Sequence, residues 1–234
     1  MRIPVEELAK DFMKFYRYTQ LGIGIEIKIM EHDSIKGYLK SSSDSNAVNE
    51  SILAYDNRMN YEDFVRIEST GNRYELIDGC IRLLAGATTT HQRIFGELFV
   101  SFKQYFALQS YEVFAPPYNV TLSVGDEKSV VQPDLIVVCD KDKIQDKGCM
   151  GAPSLVVEIA SPNNIKRDTV IKYDLYRLSG VKEYWLIDPE ALTITIYRFE
   201  NGEMVEMSQC QSNNVTSFLF SDLVLPQEDI FKEL

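Results

Sequence analysis

The chain has 234 residues, 45% of them hydrophobic and 25% charged, with a formal net charge of −11 and a sequence pI of about 4.7. This balance is that of a globular protein with one sizeable core and an appendage, not two full domains. The acidity argues against a protein that coats nucleic acid nonspecifically, since phosphate contacts dominate such binding, and no run of about 18 apolar residues suggests a membrane span.

Residues 1–58 read as an N-terminal extension, ordered only in part. The opening residues lack the apolar run of a secretory signal, so a cytoplasmic location is expected. Within residues 5–18, Leu8, Phe12, Phe15 and Tyr16 recur at helical spacing. Alternating Ile23, Ile25, Ile27 and Ile29 predict a short strand, and the polar run over 41–46 reads as a linker.

Residues 59–234 read as the main domain. A short helix begins at Tyr61. Strands over 74–78 and 81–84 are joined by Asp78-Gly79, a strong hairpin signal. The hydroxyls of residues 88–90 cap a helix running from His91 to about residue 108, with Ile94, Leu98, Phe102 and Tyr105 on its buried face. Strands follow over 111–114 and 119–124. The run 130–139 is interrupted by Pro133. Residues 154–159 are almost wholly apolar, as in a strand buried on both faces.

A helix over 169–179, capped by Asp168 and closed by Gly180, is expected to bury Ile171, Leu175 and Leu178. Strands over 183–187 and 192–199 come next, and Asn201-Gly202 turns the chain into a strand over 204–207. The order predicts an α/β domain with a mixed sheet and one helix on each face. The four cysteines show no CxxC spacing and read as reduced thiols.

Two acids interrupt apolar strands. Asp134 precedes Leu135-Ile136-Val137-Val138, and Glu158 follows Leu155-Val156-Val157. A carboxylate in such a place is costly to bury unless it is paired or binds a cation. Two such strands side by side would bring the acids together, and close carboxylates call for a divalent ion; Mg²⁺ suits oxygen ligands and phosphate. Lys172 lies fourteen residues after Glu158, beside the buried face of the next helix. Its amine can reach back toward the strand ends and stabilise charge there.

The ordered pieces 74–79, His91, 133–138, 151–153, 157–162, 167–168, Lys172, Tyr176 and 180–189 resemble a bacterial family known as "putative restriction endonuclease", formerly a domain of unknown function. Pro133-Asp134 and Glu158-Ile159-Ala160 match the PD-(D/E)XK nuclease motif, except that Ala160 stands where the superfamily carries lysine. The resemblance covers roughly three-quarters of the chain and implies a restriction-endonuclease-like fold, a mixed central sheet flanked by helices. It implies Asp134, Glu158 and the Ile159 carbonyl as metal ligands and Lys172, relocated to the helix, as the catalytic cation. Glu75 matches an acid that can face the same site, although pairing with Arg73 or Arg82 is an equal alternative.

Mg²⁺, or Mn²⁺ in its place, is therefore the expected cofactor and DNA the expected substrate. Dimerisation is compatible with cutting both strands. The net charge keeps a second reading open, a catalytically silent binding or scaffold protein on the same fold. RNA as substrate is not separable from DNA here. His91 reads as an anchoring residue rather than a base, Asp188 as a turn residue before Pro189, and Ser161 as a strand end.

Overall fold

The computed structural model describes residues 2–4, 26–31, 34–40, 59–68, 73–161, 168–210 and 214–232. The helix expected over 5–18 and the linker over 41–46 lie outside the described residues, as do Lys166 and Arg167. Near the N-terminus, β1 (Arg2–Pro4), β2 (Glu26–Glu31) and β3 (Ser34–Lys40) form a three-stranded sheet.

The main body holds two six-stranded sheets. The second sheet contains β4 (Tyr74–Ile77), β5 (Cys80–Leu83), β7 (Asn119–Val124), β8 (Glu127–Val131), β10 (Ile144–Gln145) and β11 (Gly148–Met150), in the order β10-β11-β7-β8-β4-β5. The central sheet contains β6 (Glu112–Phe114), β9 (Leu135–Val138), β12 (Leu155–Ile159), β13 (Glu183–Asp188), β14 (Thr193–Glu200) and β15 (Glu203–Cys210), in the order β15-β14-β13-β12-β9-β6. It is mixed: β12 runs parallel to β13 and antiparallel to β9. The expected α/β class with a mixed central sheet flanked by helices is therefore observed. The second sheet is an addition that strand-by-strand reading did not anticipate.

The hairpin β4–β5 turns at Asp78 and Gly79, with φ of 51° and 74°. Two successive positive φ values are what a tight two-residue hairpin needs, and Asp-Gly tolerates them. Asn201-Gly202 does the same between β14 and β15, at 53° and 77°.

Three cores follow from strand alternation. Odd-numbered residues of β9 and β12, among them Leu135, Val137, Leu155 and Val157, face helix α2 (Thr89–Phe106). That helix buries Ile94, Leu98, Phe102 and Phe106. Tyr105, expected on this face, is only partly buried, and Phe106 takes its place one turn beyond Phe102. Even-numbered residues, including Ile136, Val138 and Val156, face the second sheet through Val120, Leu122 and Val131. Helix α3 (Tyr173–Ser179) packs into this second core with Leu175 and Tyr176. Helix α1 (Tyr61–Glu68) covers the far side of the second sheet, where Phe64 packs on Leu76 and Val130. The layers are thus α2, central sheet, second sheet with α3, and α1.

Two shorter features matter for the site. The run over 130–139 does not form one interrupted strand. β8 ends in the second sheet, and Gln132-Pro133-Asp134 carries the chain across to β9 in the central sheet. Proline suits the crossing because it lacks the N–H that a continuing ladder would need. A π-helical turn (Asp168–Lys172) leads into α3, and Gly180 closes that helix at φ 94°. A C-terminal pair, β16 (Asn214–Thr216) with β17 (Val224–Pro226), and helix α4 (Gln227–Phe231) close the first core through Val215, Leu225 and Ile230.

Candidate functional site

Glu158 is the fourth residue of β12 and shares the face of Val156, toward the second sheet. At 4% exposure its carboxylate requires polar partners. It accepts hydrogen bonds from the Lys172 ammonium at 2.8 Å and from the Tyr176 hydroxyl at 2.6 Å, both to Oε1. Glu75 reaches the same ammonium from the second sheet. Its Oε1 lies 2.9 Å from Lys172 Nζ and accepts the backbone N–H of Gln132 at 3.2 Å. One buried ammonium therefore bridges two buried carboxylates carried by two different sheets.

Asp134 sits just before β9. The register Leu135 opposite Val157 brings it beside the end of β12. Its Oδ2 accepts the Ile159 N–H at 2.7 Å, and its Oδ1 lies 3.0 Å from His91 Nε2. His91 stands in the first turn of α2, where the Thr88 hydroxyl accepts its N–H at 3.2 Å. Among the described residues, the buried Nδ1 of His91 has no hydrogen-bond partner.

Glu75, Asp134, Glu158 and Lys172 line one cavity of about 740 Å³, together with His91, Ile159, Ala160 and Ser161. Residues far apart in sequence, 75 to 172, thus converge on one hollow between the sheets. Glu75 meets Lys172 in this cavity. Lys172 does not merely border the buried face of its helix: it is 2% exposed and lies on that face with Leu175 and Tyr176. Leu178, expected on the buried face, is 47% exposed. The face turned inward follows the three- and four-residue steps from Lys172.

Two residues of the site were given no role by the sequence, Tyr176, which entered only as part of the family resemblance, and Gln132. Tyr176 is fully buried, and burial together with the nearby Glu158 and Glu75 carboxylates pushes its phenol well above its ordinary value. It stays protonated and can only donate to Glu158. Gln132, next to Pro133, joins Glu75 through its backbone; its side-chain oxygen accepts from Arg73 Nε at 2.7 Å while its amide donates to Asn119 Oδ1 at 2.8 Å. Asp188 makes the expected turn, accepting the N–H groups of Glu190 and Ala191 at 2.9 and 3.0 Å.

Carboxylate oxygens are the donor type that suits a hard divalent cation. Among the described residues, no group of three or more His, Cys, Asp or Glu side chains stands ready to hold a metal. Asp134, Glu158 and Ile159 line the same cavity.

A two-sheet α/β body with acids and a lysine gathered at the strand ends is a nuclease-like fold. A crystal structure titled a "putative nuclease belonging to DUF820", from Anabaena variabilis ATCC 29413, superposes with a TM-score of 0.60 over 73% of this chain and 96% of that one, at 23% identity. The family model described as "Uma2: Putative restriction endonuclease" matches residues 61–227, and the chain belongs to that family. It is also 28% identical over 136 residues to the "Uncharacterized protein sll1609" of Synechocystis sp. (strain ATCC 27184 / PCC 6803 / Kazusa), covering 57% of this chain and 76% of the relative.

Proposed function

We propose that the chain is a metal-dependent nuclease that hydrolyses phosphodiester bonds in DNA with Mg²⁺ or Mn²⁺. The observation that carries this reading is the convergence of Glu75, Asp134, Glu158 and Lys172 on one cavity. Membership of the restriction-endonuclease family supports it. Asp134, Glu158 and the Ile159 carbonyl would hold the ion. When bound, the ion supplies Lewis acidity toward the scissile phosphate and its attacking water. Lys172, held between Glu75 and Glu158, supplies positive charge where negative charge builds up on the phosphate. Tyr176 orients the Glu158 carboxylate, and His91 orients that of Asp134. Two copies related by a twofold axis would let such sites cut both strands.

The test is cleavage of plasmid and linear DNA with Mg²⁺ or Mn²⁺ by the wild type, Asp134→Ala and Lys172→Ala. Cleavage by the wild type and its loss in both variants is expected. Undiminished cleavage in both variants would refute the assigned roles.

A second reading, a catalytically silent binding protein on this fold, is favoured by one observation. The Lys172 ammonium and the His91 ring already engage the acids that a metal would use. Calorimetric titration separates the two: no Mg²⁺ or Mn²⁺ binding up to several times about millimolar ion, the weak end of oxygen-ligand sites, favours the silent protein.

A further inference from the structure

Arg73 stands just before β4, exposed at the rim of the cavity that holds the four site residues. Its Nε donates to the side-chain oxygen of Gln132 at 2.7 Å. Gln132 is itself fixed. It is 8% exposed, its amide nitrogen donates to Asn119, and its backbone N–H donates to Glu75. The orientation of the Gln132 amide is therefore set from its far end, with its oxygen toward Arg73. Among the described residues, this is the one polar contact of the Arg73 guanidinium.

A guanidinium offers five donors in a planar fork. Anchoring Nε from one side stiffens the side chain and leaves the terminal Nη1 and Nη2 edge available. That edge matches two oxygens of a phosphate. A surface arginine that served only solubility would not need a buried glutamine to hold it. The same glutamine is hydrogen-bonded to Glu75, so the fork is carried on the framework that carries the acids.

We propose that Arg73 is a substrate-binding residue that clamps a backbone phosphate of the DNA strand at the mouth of the cavity, with Gln132 as its positioning residue. This rests on the nuclease reading. It also gives an acidic protein a local means of holding a polyanion. The contact is to phosphate, so it sets register and affinity and carries no base preference.

The test is fluorescence-anisotropy binding of two duplex oligonucleotides of unrelated sequence, with Ca²⁺ to neutralise the acids and gel checks that the duplexes stay intact. Arg73→Ala is expected to weaken binding about tenfold on both duplexes, as loss of one charge-assisted contact would. It should also make the slope of log K against log salt shallower by about one. Arg73→Lys should restore the slope but only part of the affinity, because it keeps the charge without the fork. Gln132→Ala should weaken binding less than Arg73→Ala and leave the slope unchanged.

Wild-type affinity and slope retained in Arg73→Ala would overturn the inference and leave the nuclease reading standing. Weakening on one duplex alone would overturn it too, by pointing to base recognition. A wild type that binds neither duplex would overturn the nuclease reading itself.

Discussion

The ammonium of Lys172 provides the sharpest test of how the two sheets are joined. It is 3% exposed in its side chain and lies 2.8 Å from Glu158 and 2.9 Å from Glu75, whose side chains are 6% and 1% exposed. Lys172→Met keeps the apolar stem and removes the charge. Two carboxylates are then left facing each other out of water. Breaking a buried ion pair from one side costs about 3–5 kcal/mol, because the remaining charge stays buried. For a chain of this length, that corresponds to a fall in Tm of about 6–20 °C.

The assay is urea unfolding followed by far-UV circular dichroism, with a double-mutant cycle. Glu75→Gln removes one of the two acids, so the double variant should be less destabilised than the sum of the singles, by about 1–3 kcal/mol. Divalent metal should also stabilise Lys172→Met more than the wild type at the same ion concentration, because a hundredfold excess over Kd stabilises a form by about 2.7 kcal/mol and the variant should have the lower Kd. A loss below about 1 kcal/mol in Lys172→Met, typical of an exposed pair, would refute the buried bridge. Strictly additive singles would refute the coupling between the sheets.

Three further outcomes are expected. Tyr176→Phe removes a hydrogen bond to a buried carboxylate and should cost about 1.5–3 kcal/mol in urea unfolding, with weaker divalent binding in calorimetry because Glu158 is less well oriented. Burial holds the carboxyl of Glu183 above its usual range, partly offset by hydrogen bonds from Trp185, Ser217, Leu219 and Phe218; a raised folded value gives stability that is complete below the unfolded value, about 4.3, and is lost as pH rises through the folded one. The stability of the wild type relative to Glu183→Gln should therefore increase as pH falls from neutral toward that value, and a difference independent of pH in urea titrations would contradict this. Burial pushes the Cys149 thiol up to about 11, so mass spectrometry after brief iodoacetamide treatment near neutral pH should find Cys149 unmodified until the chain is unfolded, while the partly exposed Cys80, Cys139 and Cys210 react earlier.

The acids of the site were legible in the sequence because a carboxylate inside an apolar strand contradicts its surroundings. Asp134 and Glu158 stand out on that ground alone. Lys172 does not: a single lysine beside a short helix resembles any solvated residue, and only the family resemblance singled it out. Its burial depends on how the π-helical turn before α3 faces β12, and the apolar pattern misplaced the inward face because Leu178 is exposed. Tyr176 was hidden for a related reason, since a tyrosine on an inward face reads as packing. The hairpins were legible from Asp78-Gly79 and Asn201-Gly202, where only the local backbone matters. The division into two sheets was not. Pro133 read as a flaw in one strand, whereas it marks the passage from one sheet to the other, and no local pattern states which strand lies beside which.

Glu183 bears on how much of the C-terminal segment the site can do without. Its carboxylate is fully buried on β13, next to the strand that carries Glu158. It accepts the Trp185 indole N–H at 2.5 Å and the backbone N–H of Leu219 at 2.7 Å. The loop around Leu219 therefore supplies part of the hydrogen bonding that this buried carboxylate needs. A shortened chain ending before Ser217 would lose that loop and leave a buried carboxylate with part of its hydrogen bonding removed. The tail is thus part of what keeps the central strand, and with it Glu158, in place, and designs that trim this family to its acid-bearing strands should retain it.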